Sequence, residues 1–131
     1  MRRPPRSTQS RSSAASDVYK RQILPKLVGR VKGCAVRVPT ASVSAVDLTC
    51  QLASKTDVSA LIMYLKTACP GILGMTDKPL VSSDVIARPE SLLIAAPQVQ
   101  VMGQRMVRIF GWYDNEWGFS ARMFDVAQKM L

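Results

Sequence analysis

Apolar and polar positions alternate from Lys32 to Val38, with Cys34, Val36 and Val38 on one side and Ala35 and Arg37 on the other. That period predicts a half-buried strand, which Pro39 ends or bends. Alternation resumes from Ser42 to Leu52, setting Ser44, Val46, Leu48, Cys50 and Leu52 against Val43, Ala45, Asp47 and Thr49, and predicts a second strand. The period then changes. Val58, Leu61, Ile62, Leu65, Ala68 and Cys69 recur at helical spacing, with Thr56 or Asp57 placed to cap the first turn and Pro70-Gly71 to stop the last. Further short strands are predicted over Leu80 to Ile86, Leu92 to Ala96 and Arg105 to Tyr113. In the last of these Met106, Arg108, Phe110 and Trp112 oppose Val107, Ile109 and Tyr113, and Gln98 to Met102 is set to pair with it through a turn at Gly103. A closing helix from about Glu116 to Met130 would gather Trp117, Ser120, Phe124, Ala127 and Leu131 on one face. Two strands follow one another with no helix between them. An α+β fold, a mostly antiparallel sheet covered by helices, is therefore favoured over a doubly wound parallel sheet.

Composition narrows the function classes. The chain has 131 residues, 47% apolar and 21% charged, which suits one modest hydrophobic core. Apolar runs such as Leu92 to Ala96, five residues long, fall far short of the roughly 18 that a membrane helix needs, so no membrane partner is expected. Histidine is absent, which rules out a Ser/His/Asp triad or Cys/His dyad within these residues. The net charge of +9 suggests a polyanion-binding module until it is divided along the chain. Residues 1–22 hold six cations against Asp17, a net +5, while the other 109 residues hold twelve cations and eight acids, a net +4. The body is thus only mildly basic, and no nucleic acid is expected as a partner.

Residues 1–22 carry five serines, two prolines and a single large aliphatic, Val18, too little apolar surface to offset the entropy of ordering them. They are expected to be a disordered or non-native basic leader. Their Arg6 to Gln22 stretch is similar to translated sequencing-adapter sequence, a reading favoured over an organellar transit peptide or a nucleic-acid-binding arm. Residues 23–131 then form the folded part. Cys34, Cys50 and Cys69 make no Cys-x-x-Cys pair, so no metal site is expected. Each lies on an apolar face of its expected element and reads as a small buried hydrophobe in a reducing compartment, with the seven methionines as core filler.

Two clusters resist a purely structural reading. One is Arg37-Val38-Pro39-Thr40 running into Val43-Ser44-Ala45-Val46-Asp47-Leu48-Thr49, and the other is Trp112-Tyr113-Asp114-Asn115-Glu116-Trp117-Gly118-Phe119-Ser120. With Leu24-Pro25-Lys26-Leu27 and Gly71-Ile72-Leu73-Gly74, they resemble the C-terminal catalytic domain of the phosphorylating glyceraldehyde-3-phosphate dehydrogenases, over Ile23 to Leu131. The resemblance implies a partial catalytic domain of a cytoplasmic homotetramer of glycolysis and gluconeogenesis. Such an enzyme oxidises an aldehyde sugar phosphate through a cysteine thiohemiacetal, passes hydride to NAD, with NADP as the other candidate, and releases an acyl phosphate with inorganic phosphate. Arg37 matches the arginine that holds a substrate phosphate, where a guanidinium offers a planar fork to phosphate oxygens. Asn115 matches the asparagine that hydrogen-bonds the nicotinamide carboxamide, since its amide both donates and accepts. Phe119 stands where many members carry a tyrosine near that ring. Without the resemblance, Arg37 would read as a surface cation on a strand, and Asp114 or Asn115 would serve equally well as a helix cap.

The resemblance also implies a glycine-rich phosphate loop, a nucleophilic cysteine segment and a thiol-polarising histidine, none of which these residues contain. The chain alone is expected to be catalytically silent, with no catalytic residue of its own, to need a nucleotide-binding domain encoded elsewhere, and to associate through faces that this domain and neighbouring subunits would cover. Asp84 to Ser91 departs from the common family pattern and leaves an erythrose 4-phosphate-oxidising paralogue as the nearest enzymatic alternative. A non-catalytic basic nucleic-acid-binding module is the alternative of another class.

Overall fold

The computed structural model describes residues 24–131; the leader and Ile23 lie outside the described residues. The chain divides into two compact units, Met1–Pro39 and Thr40–Leu131. Among the described residues of the first, a short 3-10 turn forms at Pro25–Leu27, where Pro25 supplies a pre-set φ for the first helical position. Lys32 to Val38 does not form the expected strand: Val36 and Val38 are exposed, and the segment finds no ladder partner among the described residues. Alternation marks which side could be buried, but a strand also requires a neighbour to accept its backbone hydrogen bonds.

The second unit carries an α+β fold: β1 (Ser44–Gln51), α1 (Val58–Ala68), β2 (Leu73–Thr76), β3 (Leu92–Ala95), β4 (Gln100–Met102), β5 (Met106–Tyr113) and α2 (Trp117–Lys129). The five strands form one sheet in the order β1-β5-β3-β2, with β4 also paired to β5. Pairings of β5 with β1, β3 and β4 are antiparallel; only β2 and β3 run parallel, joined by a crossover. The expected β4–β5 hairpin is present. Gly103 and Gln104 both adopt positive φ, and Arg105 N–H donates to the Met102 carbonyl, the geometry of a tight two-residue turn.

Strand periodicity decides the core. Val107 and Ile109 of β5, Ile94 of β3, Val101 of β4 and Met75 of β2 point to one face, where α1 lays Leu61, Ile62 and Leu65 on them. Asp57 starts α1 by accepting the Ala60 amide at 2.9 Å, as its capping chemistry predicts. The opposite face carries Leu93 and Trp112, covered by Val43, Leu80 and Val85.

Four expectations are corrected here. Leu80 to Ile86 is not a strand; Ser82–Val85 is a 3-10 turn, because the Asp84 carboxylate accepts the Val81 amide at 2.9 Å and folds the serine-rich stretch back on itself. Helix α2 covers no sheet face and instead rests on residues 90 and 91. Its Trp117, Phe124 and Leu131 are exposed, while Gly118 is its buried residue. Methionines are not core filler either: Met63, Met102, Met106, Met123 and Met130 are exposed, and Met75 alone packs against the main cluster. Nor are all the cysteines buried hydrophobes: Cys50 is half-buried against that cluster, but Cys34 and Cys69 are exposed.

Candidate functional site

The polar knot at the end of β5 is built around one carboxylate. Strand β5, interior to the sheet, ends at Trp112 and Tyr113, and the chain then turns through Asp114, Asn115 and Glu116 into α2. Asp114 is the one buried charged residue among those described, 6% exposed. Its Oδ1 accepts the amides of Glu116 at 3.0 Å and Trp117 at 2.9 Å, and its Oδ2 accepts the amide of Ala87 at 2.9 Å. Three backbone N–H groups directed at one carboxylate favour its charged form. The amide of Trp117 acts first, then those of Ala87 and Glu116, and together they hold the carboxyl below its usual range.

Asp114 therefore performs the helix-starting role for which Asp114 and Asn115 were equally suited. Asn115 is left exposed, and no hydrogen bond among the described residues engages its carboxamide. Phe119, one helical turn on, is also exposed. The two residues thus lie just before and within the first turn of α2, and both are exposed. Arg37 is exposed in the other unit, outside regular structure. The structure brings Asn115 and Phe119 together in one compact unit and leaves Arg37 in a separate one.

Neighbouring residues fix this corner. Gly118 lies so close to the loop before β3 that an added Cβ would sit 2.9 Å from the Glu90 carbonyl oxygen, a distance no side chain tolerates. Arg122 spans the same junction, donating to Asp125 at 2.7 Å and to the Ser91 hydroxyl at 3.2 Å. Arg88 pairs with Glu90 through two nitrogens, which holds the Glu90 carboxyl below its usual range. On the other sheet face Arg108 grips Asp47 with a two-pronged fork at 2.8 and 2.7 Å, across the β1–β5 pairing.

A cleft of about 410 Å³ opens beside that face, with Phe110 and Trp112 as its aromatic wall and Asp77, Lys78 and Gln98 among its polar lining. The alternation of β5 placed both aromatics on one side, but nothing in the sequence indicated that residues 77–80 would meet them. Sequence reasoning also missed the Asp114–Ala87 link, which joins positions 27 residues apart.

The chain is similar to known proteins over most of its length. The family model for glyceraldehyde 3-phosphate dehydrogenase, C-terminal domain, matches residues 5–115. Glyceraldehyde-3-phosphate dehydrogenase of Cereibacter sphaeroides is 46% identical over 112 residues, covering 82% of this chain and 34% of the relative. That of Pseudomonas aeruginosa is 47% identical over 107 residues, covering 80% and 32%. A chloroplastic glyceraldehyde-3-phosphate dehydrogenase of Arabidopsis thaliana is 42% identical over 125 residues, covering 92% and 29%. The chain spans about a third of the length of the curated relatives it matches.

Proposed function

Because this chain belongs to the glyceraldehyde 3-phosphate dehydrogenase C-terminal domain family, we propose that it supplies the substrate-phosphate and nicotinamide contacts of an NAD-dependent oxidoreductase. The reaction takes glyceraldehyde 3-phosphate, NAD and inorganic phosphate to 1,3-bisphosphoglycerate and NADH, with NADP as the alternative acceptor. The observation that carries this reading is Asn115. It stands exposed at the strand-to-helix junction with both hydrogen-bonding ends of its amide uncommitted among the described residues, because Asp114 has taken over the cap.

That amide fits a nicotinamide, whose own carboxamide offers one donor and one acceptor. In this role Asn115 fixes which face of the ring is presented to the substrate, and Phe119 packs apolar surface beside it. NAD, when bound, supplies hydride acceptance. Arg37 contributes a guanidinium fork that orients the sugar phosphate through charge-assisted hydrogen bonds. Covalent chemistry falls to a cysteine and a base outside these residues, since the chain has no histidine. The whole enzyme is proposed to work as a cytoplasmic homotetramer, although its relatives include a chloroplastic form.

The test compares the chain with a full-length enzyme that contains it. The pure chain, given glyceraldehyde 3-phosphate, NAD and phosphate, should produce no NADH absorbance, and measurable turnover would refute the assignment of catalysis to other residues. In the full-length enzyme kcat/KM should favour glyceraldehyde 3-phosphate over erythrose 4-phosphate; the reverse order would transfer the assignment to the four-carbon sugar.

A further inference from the structure

The most heavily braced corner of the described residues surrounds Asn115, and the bracing exceeds what starting a helix requires. One carboxylate oxygen suffices for a cap, and Asp114 Oδ1 provides it. Its second oxygen reaches across to Ala87, a residue held at φ +62°, where a non-glycine side chain costs roughly 1 kcal/mol or more. Gly118 lets the first turn of α2 close onto the Glu90 carbonyl, and Arg122 bonds Ser91 a turn later. The 87–91 segment is thus fastened to the 114–122 segment at three successive points. Asn115 lies between two residues governed by the same carboxylate, Asp114 itself and Glu116.

We infer that Asp114 is a positioning residue: by tying the Ala87 turn to the start of α2, it sets the backbone of Asn115 and so the direction in which that carboxamide meets a ligand. The inference rests on the reading of Asn115 as the nicotinamide contact. An amide cannot replace this carboxylate. Asp114→Asn keeps one acceptor oxygen but turns an NH2 group toward N–H donors on the other side. One of the two tethers must then break.

The experiment uses a full-length dehydrogenase in which residues 24–131 replace the matching third of the Cereibacter sphaeroides relative. Asn115→Ala should raise the KM for NAD, and Asp114→Asn should raise it about tenfold in the same direction while the KM for the aldehyde stays within twofold. Asp84→Asn, which disturbs a carboxylate turn elsewhere, should leave both unchanged. If Asn115→Ala impairs NAD use and Asp114→Asn does not, the positioning role is overturned and the nicotinamide reading survives. If Asn115→Ala has no effect, the reading fails and the inference with it.

Should Asp114→Asn not fold, the unsubstituted chain decides by NMR. The amides of Ala87, Asn115, Glu116 and Trp117 should move together through one inflection as Asp114 is acidified. Arg88, Glu90, Glu116, Arg122 and Asp125 also carry charge at this corner, but their side chains do not bond those amides. An Asn115 resonance that ignores the shared inflection would overturn the proposal.

Discussion

Asp114 and Asn115 are adjacent, similar in size and equally plausible as caps, yet the fold gives them opposite roles. The difference comes from a contact 27 residues away, which no local pattern encodes. Asp114→Ala should remove all three tethers and lower the thermal midpoint by about 5 °C or more, measured by circular dichroism. The carboxyl of Asp114 releases its proton more readily folded than unfolded. Its stabilisation is therefore complete above the ordinary carboxylate value of about 3.9 and is lost as pH falls below that, through the folded value. Urea midpoints measured from pH 5 down to pH 2 should fall over that window, and Asp114→Ala should flatten the fall. The role proposed for Arg37 rests on its motif alone. Arg37→Ala in the full-length enzyme should raise the KM for the aldehyde phosphate about 10- to 100-fold, the loss of one charge-assisted contact, with the thermal midpoint unchanged.

Elements were legible where the period and the punctuation agreed. For α1, the apolar stripe, the Asp57 cap and the Pro70-Gly71 stop all point to one helix, and it forms. For β5, alternation correctly separated Val107 and Ile109 from Arg108, Phe110 and Trp112. Alternation misled where a side chain offered the backbone another partner, as Asp84 does at Val81, and where no ladder partner stands among the described residues, as at Lys32 to Val38. The short β2 was passed over as a strand because four residues, two of them Gly74 and Thr76, carry almost no period. Its existence depends on the parallel pairing with β3. Ile94, 1% exposed, stands where that pairing meets α1, so Ile94→Ala should cost about 2–5 kcal/mol in urea unfolding. At the β4–β5 turn, Gln104 holds φ +65°, and Gln104→Gly should stabilise by about 0.5–1 kcal/mol.

At the scale of the whole chain, the family was legible because its motifs are long and stand in the right order. The extent of the folded surface was not. The face expected to gather Trp117, Phe124 and Leu131 is not covered: α2 buries a glycine and exposes Trp117, Phe119, Met123, Phe124 and Val126. Exposed apolar side chains on two sides of one helix favour association. Light scattering on the chain should show mass rising with concentration, and a concentration-independent monomer would contradict this. Among the described residues no helix is long and apolar enough to cross a membrane, so this apolar surface is not a spanning segment.

The two indoles of the chain stand five residues apart in unlike surroundings: Trp112 is wedged edge-to-face against Phe110, and Trp117 is more than half open to solvent. Iodide should accordingly quench the redder, Trp117 part of the fluorescence first. Because Trp117 adjoins the turn that presents Asn115, occupancy of that turn would dim or shield its emission, giving the molecule an optical gauge that needs no added label.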